Sequence, residues 1–496
     1  MFKQGFDNEK YIKLQSRKIK ERISLFGERL YLEFGGKMFD DFHASRVLPG
    51  FAPDSKIGML VELRDDAEII ISINTEDIEK NKVRGDLGIT YDLDVLRLID
   101  AFRGHGLYVS AVVMTRYKSN PVADSFKRKL ENLGLKVYKH YDIQGYPNNI
   151  PLILSDEGYG KNEYIETTRS IVIVTAPGPG SGKMATCLSQ IYHESKMGRK
   201  SGYAKFETFP VWNLPLSHPV NLAYEAATAD LADVNMIDPF HLEAYGKMAV
   251  NYNRDVEVFP VLYSMLAGIL GECPYKSPTD MGVNMAGFCI YDDEAVCDAA
   301  KQEIIRRYYN ALCEKRKGSD NDGEIDKIEL LMQKLSIVLD KERRCVEIAN
   351  KKAEETGTPS VAIELNDGRI VTGKTSSLLG ASSAALLNAI KLVAGIPEAM
   401  DVISPEVIEP IQKLKTDYLG NHNPRLHTDE ILVALSVSAV NNPCAKMAFE
   451  AIPKLKYAEV HSTVILSQVD ASTFRKLGAN ISCEPVYQTK KLFHHR

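Results

Sequence analysis

The residues best suited to do chemistry lie in one stretch, IVIVTAPGPGSGKMATCLSQ, from Ile171 to Gln190. Gly178, Gly180, Ser181, Gly182 and Lys183 stand between an apolar run and a helical pattern, the order in which phosphate-binding loops are built. Such a loop holds phosphate through a row of backbone N–H groups at a helix amino end, reinforced by the helix dipole; Lys183 adds a point charge. The stretch departs from GxxxxGK[ST] at Pro177, where the first glycine belongs, and at Met184, where a Ser or Thr would hold magnesium. Pro177 and Pro179 remove only donors upstream of the row from Gly180 to Met184. Met184 shares an apolar stripe with Cys187, Leu188, Ile191 and Tyr192, so it packs, and Thr186 on another face does not replace the missing hydroxyl. The expected ligand is a phosphorylated small molecule or nucleotide, with magnesium binding weakened. The dinucleotide fingerprint GxGxxG fits less well, because Lys183 occupies its third glycine.

Other residues form a second tier. Arg254 is placed to bind a further phosphate oxygen, and Asp280 with Asn284, in SPTDMGVNMAG, to hold a sugar or position a nucleophile. Each is equally a helix cap or turn former. Asp238 before Pro239 is a metal partner or, more simply, a turn residue. His427 and His461 are candidate general bases, with structural roles as the simpler reading. Taking Gly323 as the sixth position of a calcium loop aligns Asp320, Asp322, Asp326 and Glu329, but Gly318 stands where the first acid is required. A solvated helix-hairpin turn fits that segment better. The 8 cysteines show no CxxC pair and no zinc spacing, so no metal site is expected. No G-x-S-x-G elbow supports serine chemistry.

The elements around the loop set the fold class: α/β and multidomain. IGMLVEL and AEIIISI read as paired strands around the turn RDD; a helix with Leu93, Leu96, Ile99 and Phe102 follows, then the strand LYVSAVVM, a helix opened by Asn120-Pro121 and the strand LKVYK. This alternation predicts a largely parallel sheet with ligands at the carboxyl ends of its strands. From Asp292 to about Glu355 the pattern is helical and charged. Ile328, Leu331, Met332, Leu335, Val338 and Leu339 mark a helix of roughly 30 residues, an arm that invites self-association. SVAIELNDGRIVTGK is a strong hairpin signal, and helices from Ser376, Pro405 and Thr428 lead into a second α/β domain. The expected domains are 1–285, with the phosphate-loop-like turn; 286–356, a helical hairpin section; and 357–496, the carboxyl-terminal α/β domain.

Several stretches, VTAPGPGSGKMATCLSQ, VNMIDPFHLEAYG, NYNRDVEVFPVL and SPTDMGVNMAGF, together make the chain resemble a bacterial family called domain of unknown function 1846, or uncharacterised protein family 0371. The resemblance spans nearly the whole chain. It implies an α/β amino-terminal region, a helical section and a separate α/β carboxyl-terminal domain, and it makes the Lys183-Met184 pair the family's own form of the loop. It carries over no catalytic residue.

Composition bounds the rest. At 496 residues, 44% hydrophobic and 26% charged, the chain has the balance of globular domains. With 61 Lys+Arg against 66 Asp+Glu, the net charge of −5 suggests neither a nucleic-acid surface nor a polybasic membrane patch. The charged start MFKQGFDNEKYIKLQSRK does not read as a secretory signal, and Ser376 to Ile396 is interrupted by Asn388 and Lys391, so a cytoplasmic protein without a membrane span is expected. Two functions fit: an enzyme of phosphoryl or phosphorylated-metabolite chemistry, or a non-catalytic, ligand-binding homo-oligomer. An enzyme requires acids, bases or metals converging on the loop; a sensor requires only the anion cradle.

Overall fold

The computed structural model describes residues 3–39, 41–84, 88–231 and 233–488. The chain divides into two compact units: residues 5–225 with 232–297, and residues 1–4, 226–231 and 298–496.

The first unit is organised by a 7-stranded sheet in the order Gly282–Val283, Ser201–Phe206, Arg29–Phe34, Ile171–Thr175, Ala67–Asn74, Val109–Thr115, Lys136–Lys139. All its pairings are parallel. Ala67–Asn74, Val109–Thr115 and Ile171–Thr175 are buried at every residue, which is why they read as unbroken apolar runs: helices cover both faces. Helix Pro121–Asn132 begins where Asn120 accepts the Ala123 N–H at 2.8 Å.

IGMLVEL differs from expectation. Ser55–Glu62 is a helix, and only Ala67–Asn74 is a strand. A short apolar run carries no period that separates strand from buried helix, and Ile57 and Leu60, at i and i+3, are both buried. Helix Tyr91–Gly104 forms as expected, but its buried stripe is Tyr91, Val95, Leu98, Ile99 and Phe102, leaving Leu93 exposed.

The second unit carries a 4-stranded sheet, Ile370–Lys374, Ser360–Glu364, Glu459–Ser462, Asn480–Cys483. The first strands pair antiparallel around Asn366-Asp367-Gly368, where Gly368 has φ 82°, and the last pair is parallel. Helix Ala381–Ala394, beginning at Ala381 rather than Ser376, packs Ala385, Leu386, Ala389 and Ile390 into its core.

The long arm does not form. After helix Asp293–Lys317, helix Asp322–Lys334 buries Ile325, Ile328, Leu331 and Met332 and then stops. Ser336 takes φ 52°, Val338 is exposed, and a fresh helix runs Arg344–Thr356. The apolar stripe is real for three turns of helix, but backbone reversal, invisible to side-chain period, ends it. In the calcium-like segment, Asp322 pairs with Lys315 at 2.6 Å and Glu329 accepts the Tyr308 hydroxyl at 3.0 Å, so these acids belong to a helical hairpin. No helix among the described residues is long and apolar enough to cross a membrane.

Candidate functional site

Strand Ile171–Thr175 lies in the middle of the parallel sheet, and the chain turns from its carboxyl end into helix Lys183–Lys196. The glycines of the turn are required for different reasons. A Cβ on Gly178 would stand 2.2 Å from the Tyr91 hydroxyl oxygen, so space excludes a side chain there. Gly180 and Gly182 have φ of 74° and 84°, which L side chains rarely adopt. Left-handed Gly182 beside helical Lys183 is the alternation that gathers successive N–H groups into one concavity. The Ser181 hydroxyl donates to the Gly178 carbonyl at 2.9 Å, and the Thr115 hydroxyl donates to the Ser181 carbonyl at 2.9 Å, tying the turn to the end of strand Val109–Thr115.

The amides of Gly180, Ser181, Gly182, Lys183 and Met184 have no protein acceptor among the described residues. The first bond of the helix is from Thr186 N–H to the Gly182 carbonyl, 2.9 Å, and the Thr186 hydroxyl donates to that same oxygen at 2.9 Å. Thr186 is therefore committed, and Met184 packs against the core. Lys183 is half-buried; burial pushes its pKa down and the neighbouring Glu33 carboxylate opposes that shift.

Around Lys183 the sheet assembles a second set of charges. Glu33 is in register with Val174 on one side and Lys205 on the other, so all three side chains share one sheet face. Glu33 accepts the Tyr203 hydroxyl at 2.6 Å. Lys205 ion-pairs with Asp255, lies 2.9 Å from Glu207 Oε1 and donates to the Tyr252 hydroxyl. Asp255 comes from the first turn of helix Asn253–Leu270, where a carboxylate complements the helix dipole. Burial opposes the Lys205 charge, but Asp255 and Glu207 together raise its pKa well above the ordinary value. Burial, with the Asp255 carboxylate and its hydrogen bond, pushes Glu207 up to about 8 against the pull of Lys205. The side chains of Lys205, Glu207 and Asp255 retain 15%, 10% and 20% exposure.

The family domain described as domain of unknown function DUF1846, N-terminal, matches residues 4–336, and the corresponding C-terminal domain matches residues 341–493. The chain belongs to the DUF1846 family. It is 58% identical over 493 residues to the UPF0371 protein of Streptococcus thermophilus strain ATCC BAA-491 / LMD-9, covering 99% of this chain and 100% of the relative. A UPF0371 protein of Streptococcus pneumoniae strain JJA is 57% identical over 493 residues with the same coverage.

The remaining candidates of this DUF1846 chain occupy structural positions. Asp238 caps helix Pro239–Tyr245, accepting His241 N–H at 3.0 Å, and also accepts the Thr279 hydroxyl at 2.6 Å. Arg254 Nη2 donates to buried Asp233 Oδ2 at 2.6 Å, and its Nε forms an ion pair with Oδ1 at 2.6 Å, at the start of the helix that supplies Asp255. Asp280 accepts the Tyr245 hydroxyl at 2.8 Å. Buried Asn284 donates to the carbonyls of Thr208 and Pro210 at 3.1 and 2.9 Å. His427 caps helix Thr428–Ser438 and lies 3.2 Å from Asp470, whose hydrogen bond raises its pKa. His461 is buried between Ser482, 2.9 Å, and Glu484, 3.2 Å, and burial holds its pKa down.

Among the described residues, His218, Asp293 and Cys297 form a cluster with metal-ligand chemistry. His218 Nε2 lies 3.0 Å from Asp293 and 3.6 Å from Cys297 Sγ, while Nδ1 accepts Val220 N–H at 3.2 Å. That places the ring proton on Nε2, the reverse of a metal-ligating imidazole, whose distal nitrogen carries the proton.

Sequence reasoning missed Glu33, Lys205, Glu207 and Tyr252. A signal existed: in LYLEFGG and YAKFETF charged residues interrupt apolar strands just at their carboxyl ends, where parallel sheets bind ligands.

Proposed function

We propose that this protein binds a phosphorylated small molecule or nucleotide, its phosphate resting on the amides of Gly180 to Met184 and on the Lys183 ammonium. The observation that supports this reading is the row of consecutive N–H groups, aimed from a helix amino end beside Lys183, that among the described residues have no protein acceptor. Magnesium is not part of the cradle, because Met184 has no hydroxyl and Thr186 donates to the Gly182 carbonyl. The acids, lysines and tyrosine at neighbouring strand ends favour an enzyme acting on a phosphorylated metabolite over a sensor, which would need the cradle alone.

Calorimetric titration with ATP, GTP, pyrophosphate and inorganic phosphate, with and without magnesium, tests the reading. Wild type binds at least one of these, magnesium leaves the affinity unchanged, and Lys183→Ala weakens it by roughly ten- to hundredfold, the worth of a charge-assisted hydrogen bond. Equal binding by the Lys183→Ala variant would remove the loop from consideration.

A further inference from the structure

The row across the sheet formed by Val174, Glu33 and Lys205 defines a distance as well as a face. Lys205 is two strand spacings from the strand that carries the loop, about 10 Å at roughly 4.8 Å per strand. A phosphate on the loop thus leaves the rest of a small molecule to lie over Glu33 toward Lys205, Glu207 and Asp255. Charged Glu33 and Lys205 lie along that line, which suits a hydroxylated chain or ring better than an apolar one.

Glu207 is the group with spare chemistry at the far end. It shares the Lys205 ammonium with Asp255. Its Oε1 is buried and lies 2.9 Å from Lys205 Nζ, yet outside hydrogen-bonding alignment, so that oxygen has no hydrogen-bond partner among the described residues. Burial, with the Asp255 carboxylate close by, favours the protonated form of Glu207. The titratable groups that face the pair are Lys205 on its own strand, Asp255 and Tyr252 at the start of helix Asn253–Leu270, Tyr224 on helix Pro219–Ala227, and Glu33 on the adjoining strand.

We propose that Glu207, beside Asp255 and Lys205, is a hydrogen-bond donor of the phosphate site that selects a hydroxyl oxygen of a small phosphorylated polyol or sugar. This rests on the phosphate reading above. Glu207 gives this hydrogen bond without releasing its proton, so no bond of the ligand forms or breaks.

The test compares ribose 5-phosphate with methyl phosphate, which share monoester ionisation and differ in hydroxyls, by calorimetry on the full chain at about pH 6.5 and about pH 9, either side of the Glu207 value of about 8. Wild type should prefer ribose 5-phosphate roughly tenfold at the lower pH, as one hydrogen bond to a charged or acidic group warrants, and lose that preference at the higher. Glu207→Gln, which donates through its amide at either pH, should keep the preference and lose its pH dependence; Glu207→Ala should lose the preference. Both variants should bind methyl phosphate as wild type does. Absence of any preference in wild type, or an unchanged pH dependence in Glu207→Gln, would overturn the proposal while leaving the phosphate site standing. Failure of wild type to bind either monoester would overturn the phosphate reading itself, and this proposal with it.

Discussion

At the scale of single residues, the loop makes demands that substitution can measure. Gly182 has φ 84°, and a Cβ there would come within 2.9 Å of Thr115 Cγ2. Gly182→Ala should therefore cost about 1–2 kcal/mol of stability from backbone strain alone and misalign the amide row, checked by denaturant unfolding and phosphate titration together. Gly180 has nothing near its Cβ position, so Gly180→Ala carries only the strain of φ 74° and should cost about 1 kcal/mol; equal losses at both positions would show that Thr115 yields freely. Glu207 makes a pH prediction with a definite sign. Its folded pKa is about 8 against an ordinary 4.5, so between those values the folded state holds the proton more tightly than the unfolded chain. Stability from this group is fully present below about pH 4.5 and is lost as pH rises through about 8. Glu207→Gln should flatten the decline in melting temperature from neutral to alkaline pH, and an unaltered decline would assign it to other groups.

At the scale of elements, caps and reversals decide where helices begin and end, and each has a measurable weight. Asn120→Ala removes the acceptor for Ala123 N–H and should destabilise the first unit by about 1 kcal/mol. Ser336→Gly relieves a left-handed residue at φ 52° and should stabilise the helical section by up to about 1 kcal/mol, read by chemical denaturation; a loss would mean that the Ser336 side chain outweighs the strain. The same elements show what the sequence made legible. Wholly buried strands such as Ile171–Thr175 announce themselves as unbroken apolar runs, and Asn120-Pro121 and Asn366-Asp367-Gly368 mark their turns by residue type. Ser55–Glu62 was not legible, since a short apolar run lacks a diagnostic period, nor was the break at Ser336, since a polar residue gives no warning that it will reverse the backbone. In the candidate site the loop was visible because its residues are contiguous. Glu33, Lys205 and Glu207 were not, because strand ends far apart in the chain meet only through sheet register.

At the scale of the whole molecule, the two units have separate apolar cores, one centred on strands such as Ala67–Asn74 and the other on Val361, Leu386 and Val460. Distinct cores need not melt together, so calorimetry should resolve two transitions. Their pH responses should differ. The first contains Glu207 and weakens toward alkaline pH. The second contains Glu459, whose burial is outweighed by Arg306 and Arg343, leaving its pKa below the ordinary 4.5. A depressed carboxyl contributes stability that is present above its unfolded value and lost as pH falls through its folded value, so acid should lower the second transition. A phosphorylated ligand adds a further distinction, because a ligand that binds only a folded unit stabilises that unit by about 2.7 kcal/mol at a hundred times its Kd. Pyrophosphate at that excess should raise the alkali-sensitive transition and leave the acid-sensitive one in place. A shift confined to the acid-sensitive transition would put the anion site in the unit that holds His427 and His461, and would make the amide row of Gly180 to Met184 a structural turn.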